Sequence, residues 1–228
     1  MWNIVLGPPG TGKTTYLLDK VEDFLNSGVR PEKLGYVAFT KKAANEALVR
    51  AVSKFGYDPK ELTYFRTLHS LCYSWLGMTR SDVMARNNLR DFSRIIGERI
   101  NSAWDGENIM SLASKGDRML FLENMARCQC TGQRETWNTS DSNISWMHFE
   151  WFIKNYSKYK EANFLIDYTD MLEMFIASKG KPELDVLIID EAQDLSTLQW
   201  KCVEKLAEGV KHVFIAGDAD QAIYRWAG

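Results

Sequence analysis

The chain has 228 residues, 45% hydrophobic and 25% charged, so it can fold as one large domain or as one domain with an insertion. Its formal net charge of −2 argues against a protein that coats nucleic acid broadly. If the chain binds a polynucleotide, it must do so along a narrow track of local cations and aromatic rings. No apolar run approaches the ~20 residues of a membrane span, so we expect no membrane partner. Four cysteines without a CxxC spacing predict reduced thiols in a cytoplasmic protein.

Four short apolar runs predict the strands of a parallel sheet. They are too short for helices and nearly continuous, which is typical of strands buried on both faces. A helical pattern over residues 16–25 follows the first run, and the order strand, helix, strand favours a right-handed crossover. Ligands of such sheets bind beyond the carboxyl ends of the strands. The runs are residues 2–7, 34–40, 185–190 and 212–218.

Residues 79–162 have a different pattern, in which helical segments alternate with polar stretches. We predict a mostly helical inserted subdomain here, within an α/β domain formed by residues 1–78 and 163–228. The segment WMHFEWFIKNYSKY carries a stripe of large apolar residues at helical spacing. We expect this stripe to be core, with a base-stacking platform as the alternative. Its members are Trp146, Phe149, Ile153 and Tyr156.

The segment GPPGTGKT, residues 7–14, matches the phosphate-binding pattern G-x-x-x-x-G-K-[ST] between a predicted strand and a predicted helix. Glycines let backbone N–H groups turn towards phosphate oxygens, and the following helix adds its positive end. Lys13 is expected to bridge the β- and γ-phosphates, and the Thr14 hydroxyl to bind Mg²⁺. The alternative is a glycine-rich turn with a solvated lysine. The predicted nucleotide-binding residues here are Gly7, Pro8, Pro9, Gly10, Thr11, Gly12, Lys13, Thr14 and Thr15.

A P-loop needs a carboxylate on a neighbouring strand, and the segment VLIIDEAQD supplies one after four apolar residues. Asp190 is expected to bind Mg²⁺, directly or through water. Glu191 is placed to take a proton from the attacking water. The alternative for both is an acidic first turn of a helix, a structural role that also suits Asp194.

Six segments in this order resemble the N-terminal half of a UvrD/Rep/PcrA-type superfamily 1 DNA helicase. The resemblance implies a RecA-like P-loop NTPase fold with a helical insertion, ATP and Mg²⁺ as cofactors, and single-stranded DNA as partner. It keeps the catalytic and metal-binding roles given above, and it makes Gln221 a sensor of the γ-phosphate. The segments are GPPGTGKT, YVAFTKKAANE, FRTLHSLCYSWL, LIDYTDML, VLIIDEAQDLS and VFIAGDADQAIYRWAG.

The resemblance also implies which residues contact the single strand. Stacking on aromatic rings is worth ~1–3 kcal/mol per base and tolerates any sequence, as a motor on DNA requires. The alternatives are core positions for the aromatic residues and the histidine, and a solvated charge for the lysine. Asp167 and Asp170 match the family as well, with helix capping as their alternative. The residues expected at the strand are Phe39, Thr40, Lys41, His69, Tyr224 and Trp226.

The predicted function is the N-terminal ATPase lobe of an ATP-dependent DNA helicase that moves three-prime to five-prime. We expect the family's upstream adenine-reading segment and its second RecA-like lobe to lie outside these 228 residues. Without that lobe, the chain should bind nucleotide weakly and turn it over slowly. The alternatives are a non-motor module that holds nucleotide or single strand, and a P-loop kinase or ATPase unrelated to DNA.

Overall fold

The predicted apolar runs form one parallel sheet in the computed structural model of the chain, which describes residues 2–8, 10–101, 114–141 and 143–218. The strands lie in the order β1-β5-β4-β2-β3, and each neighbouring pair is parallel. The predicted α/β class and its four strands are therefore confirmed. The strands are β1 (Trp2–Leu6), β2 (Leu34–Ala38), β3 (Tyr64–Thr67), β4 (Val186–Asp190) and β5 (His212–Gly217).

The helices of the described residues flank this sheet or build a second unit. None of them combines the length and the apolar composition of a membrane span. Single 3₁₀ turns at Pro31–Lys33 and Ala192–Asp194 precede β2 and follow β4. The helices are α1 (Lys13–Asn26), α2 (Lys41–Phe55), α3 (Leu68–Trp75), α4 (Arg86–Ile96), α5 (Lys115–Cys128), α6 (Gln133–Thr139), α7 (Trp146–Ala162), α8 (Tyr168–Ala177) and α9 (Thr197–Ala207).

Strand β3 is the strand that the sequence pattern did not predict. It has four residues, and it alternates between half-buried and buried positions instead of forming a continuous apolar run. It pairs with β2 alone, at the end of the sheet. That pairing stacks the rings of Tyr36 and Phe65, whose centroids are 5.4 Å apart. An edge strand with one polar face gives too weak a periodic signal to be identified from so few residues.

Helices α1 and α2 cover one face of the sheet and share a core with it. Leu17 and Val21 of α1 are fully buried against Tyr36 of β2 and Ile188 of β4. Hydroxyl groups mark where two of the sheet's helices begin, because each accepts an N–H group of the first turn. The Thr40 hydroxyl caps α2, and the Thr67 hydroxyl caps α3 by accepting from Ser70 N–H.

Residues 77–174 form the second compact unit, and its described part is mostly helical. Its core contains the predicted stripe of α7. Phe149 and Tyr156 are fully buried, while Trp146 and Ile153 are partly buried against the same cluster. The stripe is therefore core, as expected, and its inner rings are not an open stacking platform.

The compact units differ from the predicted domain limits at residues 163–174. These residues group with the helical unit and not with the sheet, whose unit resumes at Phe175. A parallel bridge explains the grouping, because Ile166 pairs with Val83 and exchanges backbone hydrogen bonds around it. The assignment of the two units as RecA-like domain and inserted subdomain remains a prediction.

A buried ionic cluster lies in the helical unit. Asp167 and Asp170 each accept the other's backbone N–H at the start of α8, at 2.7 and 2.8 Å, so the capping alternative describes them well. Lys160 donates to both carboxylates at 2.6 Å. The Arg127 guanidinium also donates to both of these carboxylates, and it donates to Glu123 at 3.2 Å. This network joins α5, α7 and α8.

Glu123 is the weak member of this cluster. Its Oε2 atom is buried and accepts no hydrogen bond within the part of the chain that the structure describes. Burial raises the pKa of Glu123 to about 7, against the opposing pull of Arg127. A carboxyl whose pKa is raised on folding adds stability below its unfolded pKa and loses that contribution as pH rises through its folded pKa.

Glu123→Gln should therefore flatten the dependence of stability on pH. We expect the free energy of unfolding of the wild type to fall between pH 5 and pH 8 by on the order of 2 kcal/mol more than that of the variant. Chemical denaturation at both pH values measures this difference. Glu173→Gln is the control, because Glu173 bonds the same Arg127 from a more exposed position. Parallel pH profiles for wild type and Glu123→Gln would contradict the expectation.

Candidate nucleotide and nucleic-acid site

The five parallel strands end at one edge of the sheet, and the predicted site residues follow those ends. In such sheets the carboxyl edge is where ligands bind. Sheet order places the loop after β1 at one end of this edge and the start of α3 at the other, with the end of β4 between them. The first residues beyond the strands, in order along the edge, are Gly7, Asp218, Glu191, Phe39 and Leu68.

The P-loop curls between β1 and α1 with glycines where the backbone requires them. Gly10 and Gly12 adopt positive φ angles of 74° and 83°, a conformation that favours glycine. A Cβ at Gly7 would lie 2.8 Å from Thr11 Oγ1, so a side chain there would displace the loop. The N–H groups of the first turn of α1 have no acceptor within the helix and remain for an anion.

Lys13 lies inside this curl. Its ammonium group donates to the carbonyl oxygens of Gly7 at 2.5 Å and of Pro8 at 3.2 Å. Thr11 also donates to the Pro8 carbonyl, at 2.7 Å, which keeps the loop closed around the lysine. The lysine is thus held at the loop by neutral carbonyl oxygens. A charged phosphate group is a stronger acceptor for a cation and would replace them. Pro9 lies outside the described residues.

Asp190 accepts hydrogen bonds from three different parts of the structure. Its Oδ2 atom accepts from the Thr14 hydroxyl at 3.1 Å and from the Tyr36 hydroxyl at 2.6 Å, and Oδ1 accepts from Glu191 N–H at 3.0 Å. Burial raises the pKa of Asp190, and the bonds from Tyr36 and Thr14 oppose that rise. Burial and the adjacent carboxylate also raise the pKa of Tyr36, so its phenol stays a donor.

The oxygens of Thr14 and Asp190 fit the requirements of Mg²⁺. This ion binds proteins through one or two hard oxygen ligands and keeps several of its waters and its phosphate contacts. Thr14 is the second residue of α1, the helix that follows the P-loop, and Asp190 ends β4, yet their oxygens meet at 3.1 Å. The predicted metal-binding pair is therefore brought together next to the phosphate-binding loop.

Glu191 is held in an uncommon backbone conformation by its neighbours. Its φ angle is 55°, in the left-handed region, which costs of order 1 kcal/mol or more for a residue with a side chain. The Gln193 side chain donates to Glu191 Oε2 at 2.7 Å and accepts from the backbone N–H of Asp218 at 3.0 Å. A Cβ at Gly217 would come within 3.1 Å of Gln193 Oε1, so glycine leaves room for this bridge.

Gln193 and Tyr36 are two residues of the site that no sequence motif predicted. Gln193 stands inside the segment VLIIDEAQD, and its distance from Glu191 along the chain was the available signal. Tyr36 lies in the middle of β2. Nothing in the sequence around it indicates a role at the site, because a tyrosine within an apolar strand is typical of a core residue. Only the register of β2 against β4 brings it to Asp190.

The expected DNA contacts that the structure describes lie at the ends of β2 and β3. Phe39 is partly buried, whereas Lys41 is exposed. Thr40 is exposed too, but its hydroxyl accepts from Ala43 N–H at 3.1 Å and so already caps α2. Burial, together with the nearby Lys41 ammonium, lowers the pKa of His69 to about 4, so the imidazole is neutral at neutral pH.

The remaining expected site residues follow β5. The structure describes this part of the chain as far as Asp218, whose backbone is bonded to Gln193. Gln221, Tyr224 and Trp226 lie outside the described residues. Their roles as γ-phosphate sensor and base-stacking aromatics remain predictions.

Comparison with known proteins agrees with this arrangement. The chain is 27% identical to a "Probable DNA helicase" of Mycoplasma pneumoniae, over 99% of the chain and 45% of that protein. It is 25% identical to a "Probable DNA helicase II homolog" of Mycoplasma genitalium and to "ATP-dependent DNA helicase PcrA" of Staphylococcus aureus, with 34% and 32% of those proteins covered. The chain thus spans less than half the length of these relatives.

The family comparison covers nearly every residue of the chain. The sequence model for the UvrD/REP helicase N-terminal domain matches residues 2–228, which include the P-loop, the Asp190 strand and the helical unit. Its extent agrees with a parallel α/β lobe whose phosphate loop and acidic strand meet at one edge. The chain therefore belongs to the UvrD/Rep helicase N-terminal domain family.

Proposed function

We propose that this chain is the N-terminal ATPase lobe of an ATP-dependent DNA helicase, which binds ATP with Mg²⁺ and a single DNA strand and moves along it three-prime to five-prime. The hydrogen bond between Thr14 and Asp190 carries the proposal, because it joins the phosphate loop to an acidic strand end as nucleotide hydrolysis requires. The family and the names of the relatives support the helicase class. A DNA substrate agrees with the predicted cytoplasmic location.

In the proposed nucleotide site, each of the groups at the P-loop and at the end of β4 has one task. The N–H groups around Gly10 and Gly12 and the start of α1 bind phosphate oxygens. The Lys13 ammonium exchanges its bonds to the Gly7 and Pro8 carbonyls for bonds to phosphate. Thr14 and Asp190 would hold Mg²⁺, which neutralises phosphate charge when bound. Each of these groups lies at the carboxyl edge of the sheet.

Glu191 would orient the attacking water and accept its proton. Its carboxylate is held by Gln193, whose other end is bonded to the backbone at Asp218. A change at the loop after β5 would therefore reach the proposed base through a single side chain. Gln221 follows Asp218 closely in the sequence, so nucleotide sensing and base positioning would share this connection.

The DNA side of the proposal uses the neighbouring strand ends. Phe39 is half-buried, so part of its ring can face a base while the rest is anchored in the fold. His69 is neutral at neutral pH and would therefore act by stacking or hydrogen bonding and not as a cation. Lys41 supplies the positive charge for a phosphate. Such contacts form the narrow track that a chain of net charge −2 requires.

Two variants separate nucleotide binding from chemistry. Lys13→Ala should weaken binding of a fluorescent ATP analogue with Mg²⁺ by at least about tenfold, because it removes a charge-assisted contact to phosphate. Glu191→Gln should bind the analogue within about twofold of wild type. In the full-length protein it should lower ATP turnover about 10²-fold or more, through loss of the general base. Equal nucleotide binding by wild type and Lys13→Ala would refute the assigned phosphate site.

A second pair of variants tests the strand contacts. Phe39→Ala should weaken binding of a single-stranded oligonucleotide by about 5- to 100-fold, as expected for the loss of one stacked base. Fluorescence anisotropy at fixed salt measures the affinity. Trp2→Ala is the control, because Trp2 is also a large aromatic residue with an accessible ring, but it begins β1 and so lies at the amino ends of the strands.

The DNA assignment fails if Trp2→Ala weakens binding as much as Phe39→Ala does, or if neither variant matters. A chain that binds nucleotide but no single strand would instead be an ATPase unrelated to DNA. Binding of both ligands without turnover, even in the full-length protein, would indicate a non-motor module.

A further inference from the structure

Tyr36 brings a hydroxyl group to the candidate metal site from inside the core. It is a fully buried residue of β2, and its OH donates to Asp190 Oδ2 at 2.6 Å. Buried tyrosine hydroxyls usually find an acceptor, but this acceptor is the carboxylate that belongs to the candidate site. The bond is 0.5 Å shorter than the 3.1 Å bond that Thr14 makes to the same oxygen.

Tyr36 reaches Asp190 because of the register of the sheet. In the parallel pair of β2 and β4, Tyr36 lies beside Ile188, and Ala38 lies beside Asp190. All four side chains therefore point to the same face of the sheet. Along β4, Asp190 lies two residues beyond Ile188, the neighbour of Tyr36. Two residues of strand span about 6.6 Å, a gap that a tyrosine side chain can cross and a smaller residue cannot.

Tyr36 is also held rigidly. Its ring stacks on Phe65 of β3, with an angle of 18° between the ring planes, and it packs in the core between the sheet and helices α1 and α2. A side chain confined in this way keeps its hydroxyl at one point. It can therefore fix the direction of a carboxylate that would otherwise rotate.

The three bonds to Asp190 leave little freedom to its carboxylate. A carboxylate oxygen has two lone-pair directions. Tyr36 and Thr14 use both directions on Oδ2, and the Glu191 N–H uses one on Oδ1. The position of Thr14 Oγ1, the second candidate ligand, thus depends on how Tyr36 orients the shared oxygen.

We propose that Tyr36 is a positioning residue for Mg²⁺-nucleotide, which acts by fixing the Asp190 carboxylate so that this group and the Thr14 hydroxyl present their oxygens together. The proposal rests on the nucleotide site proposed above. It adds a residue in the sheet core that tunes metal affinity without contacting metal or nucleotide. Outer partners of this kind typically change metal affinity 10- to 100-fold.

Tyr36→Phe tests the proposal, because it removes the hydroxyl and keeps the ring that stacks on Phe65. Binding of a fluorescent ATP analogue to this chain is titrated with Mg²⁺, and also measured in EDTA without metal. We expect the Mg²⁺ concentration for half-maximal enhancement of binding to rise about tenfold. Binding without metal should stay within about twofold of wild type.

Tyr156→Phe is the matched control. Tyr156 is another fully buried tyrosine that donates to a buried aspartate, Asp167, at 3.1 Å, but it lies in the helical unit. Both variants lose one buried hydrogen bond, so each should lower the unfolding temperature in EDTA. Only Tyr36→Phe should shift the Mg²⁺ titration.

A double variant shows whether Tyr36 acts through Asp190. If it does, adding Tyr36→Phe to Asp190→Asn should cause no further shift, because the carboxylate that it orients is already gone. An additive shift would overturn the proposal. So would an unchanged Mg²⁺ titration in Tyr36→Phe, or an equal shift in Tyr156→Phe. If Lys13→Ala still weakens nucleotide binding when any of these results is found, the nucleotide site stands and only the role of Tyr36 fails.

Discussion

The buried carboxylate of Asp190 holds the candidate site together. Removing a charge from water is costly unless hydrogen bonds replace those lost. Here the replacements come from Thr14 at the start of α1, from Tyr36 in β2 and from the Glu191 backbone. Because the bond from Thr14 crosses from helix to sheet, the same interaction that stabilises the charge also fixes the P-loop helix against β4.

The topology of the sheet explains how the two proposed ligands could share one surface. All five strands are parallel, so every loop that follows a strand emerges at the same edge. The phosphate loop and the acidic strand end meet at Thr14 and Asp190, and the next two strands along the edge end beside Phe39 and His69. In the proposed motor, nucleotide and DNA strand would both be contacted from this edge of the sheet.

The sequence predicted those parts of the site whose signals are local. The P-loop and the acidic strand end are contiguous motifs, so their place at the candidate site could be predicted from spacing alone, and the structure brings them together. Tyr36 could not be assigned, because its role depends on strand register and on a neighbour 154 positions away. Strand β3 was missed because four alternating residues give a weak period. Asp167 and Asp170 matched a motif, yet their partners Arg127 and Lys160 come from other helices.

The most direct test is a crystal structure of this chain with Mg²⁺ and a non-hydrolysable ATP analogue. We predict that Lys13 leaves the carbonyls of Gly7 and Pro8 for the phosphates, and that the metal lies beside Thr14 with Asp190 still bonded to Tyr36. A nucleotide bound elsewhere, with Lys13 still bonded to those carbonyls, would contradict the proposed nucleotide site.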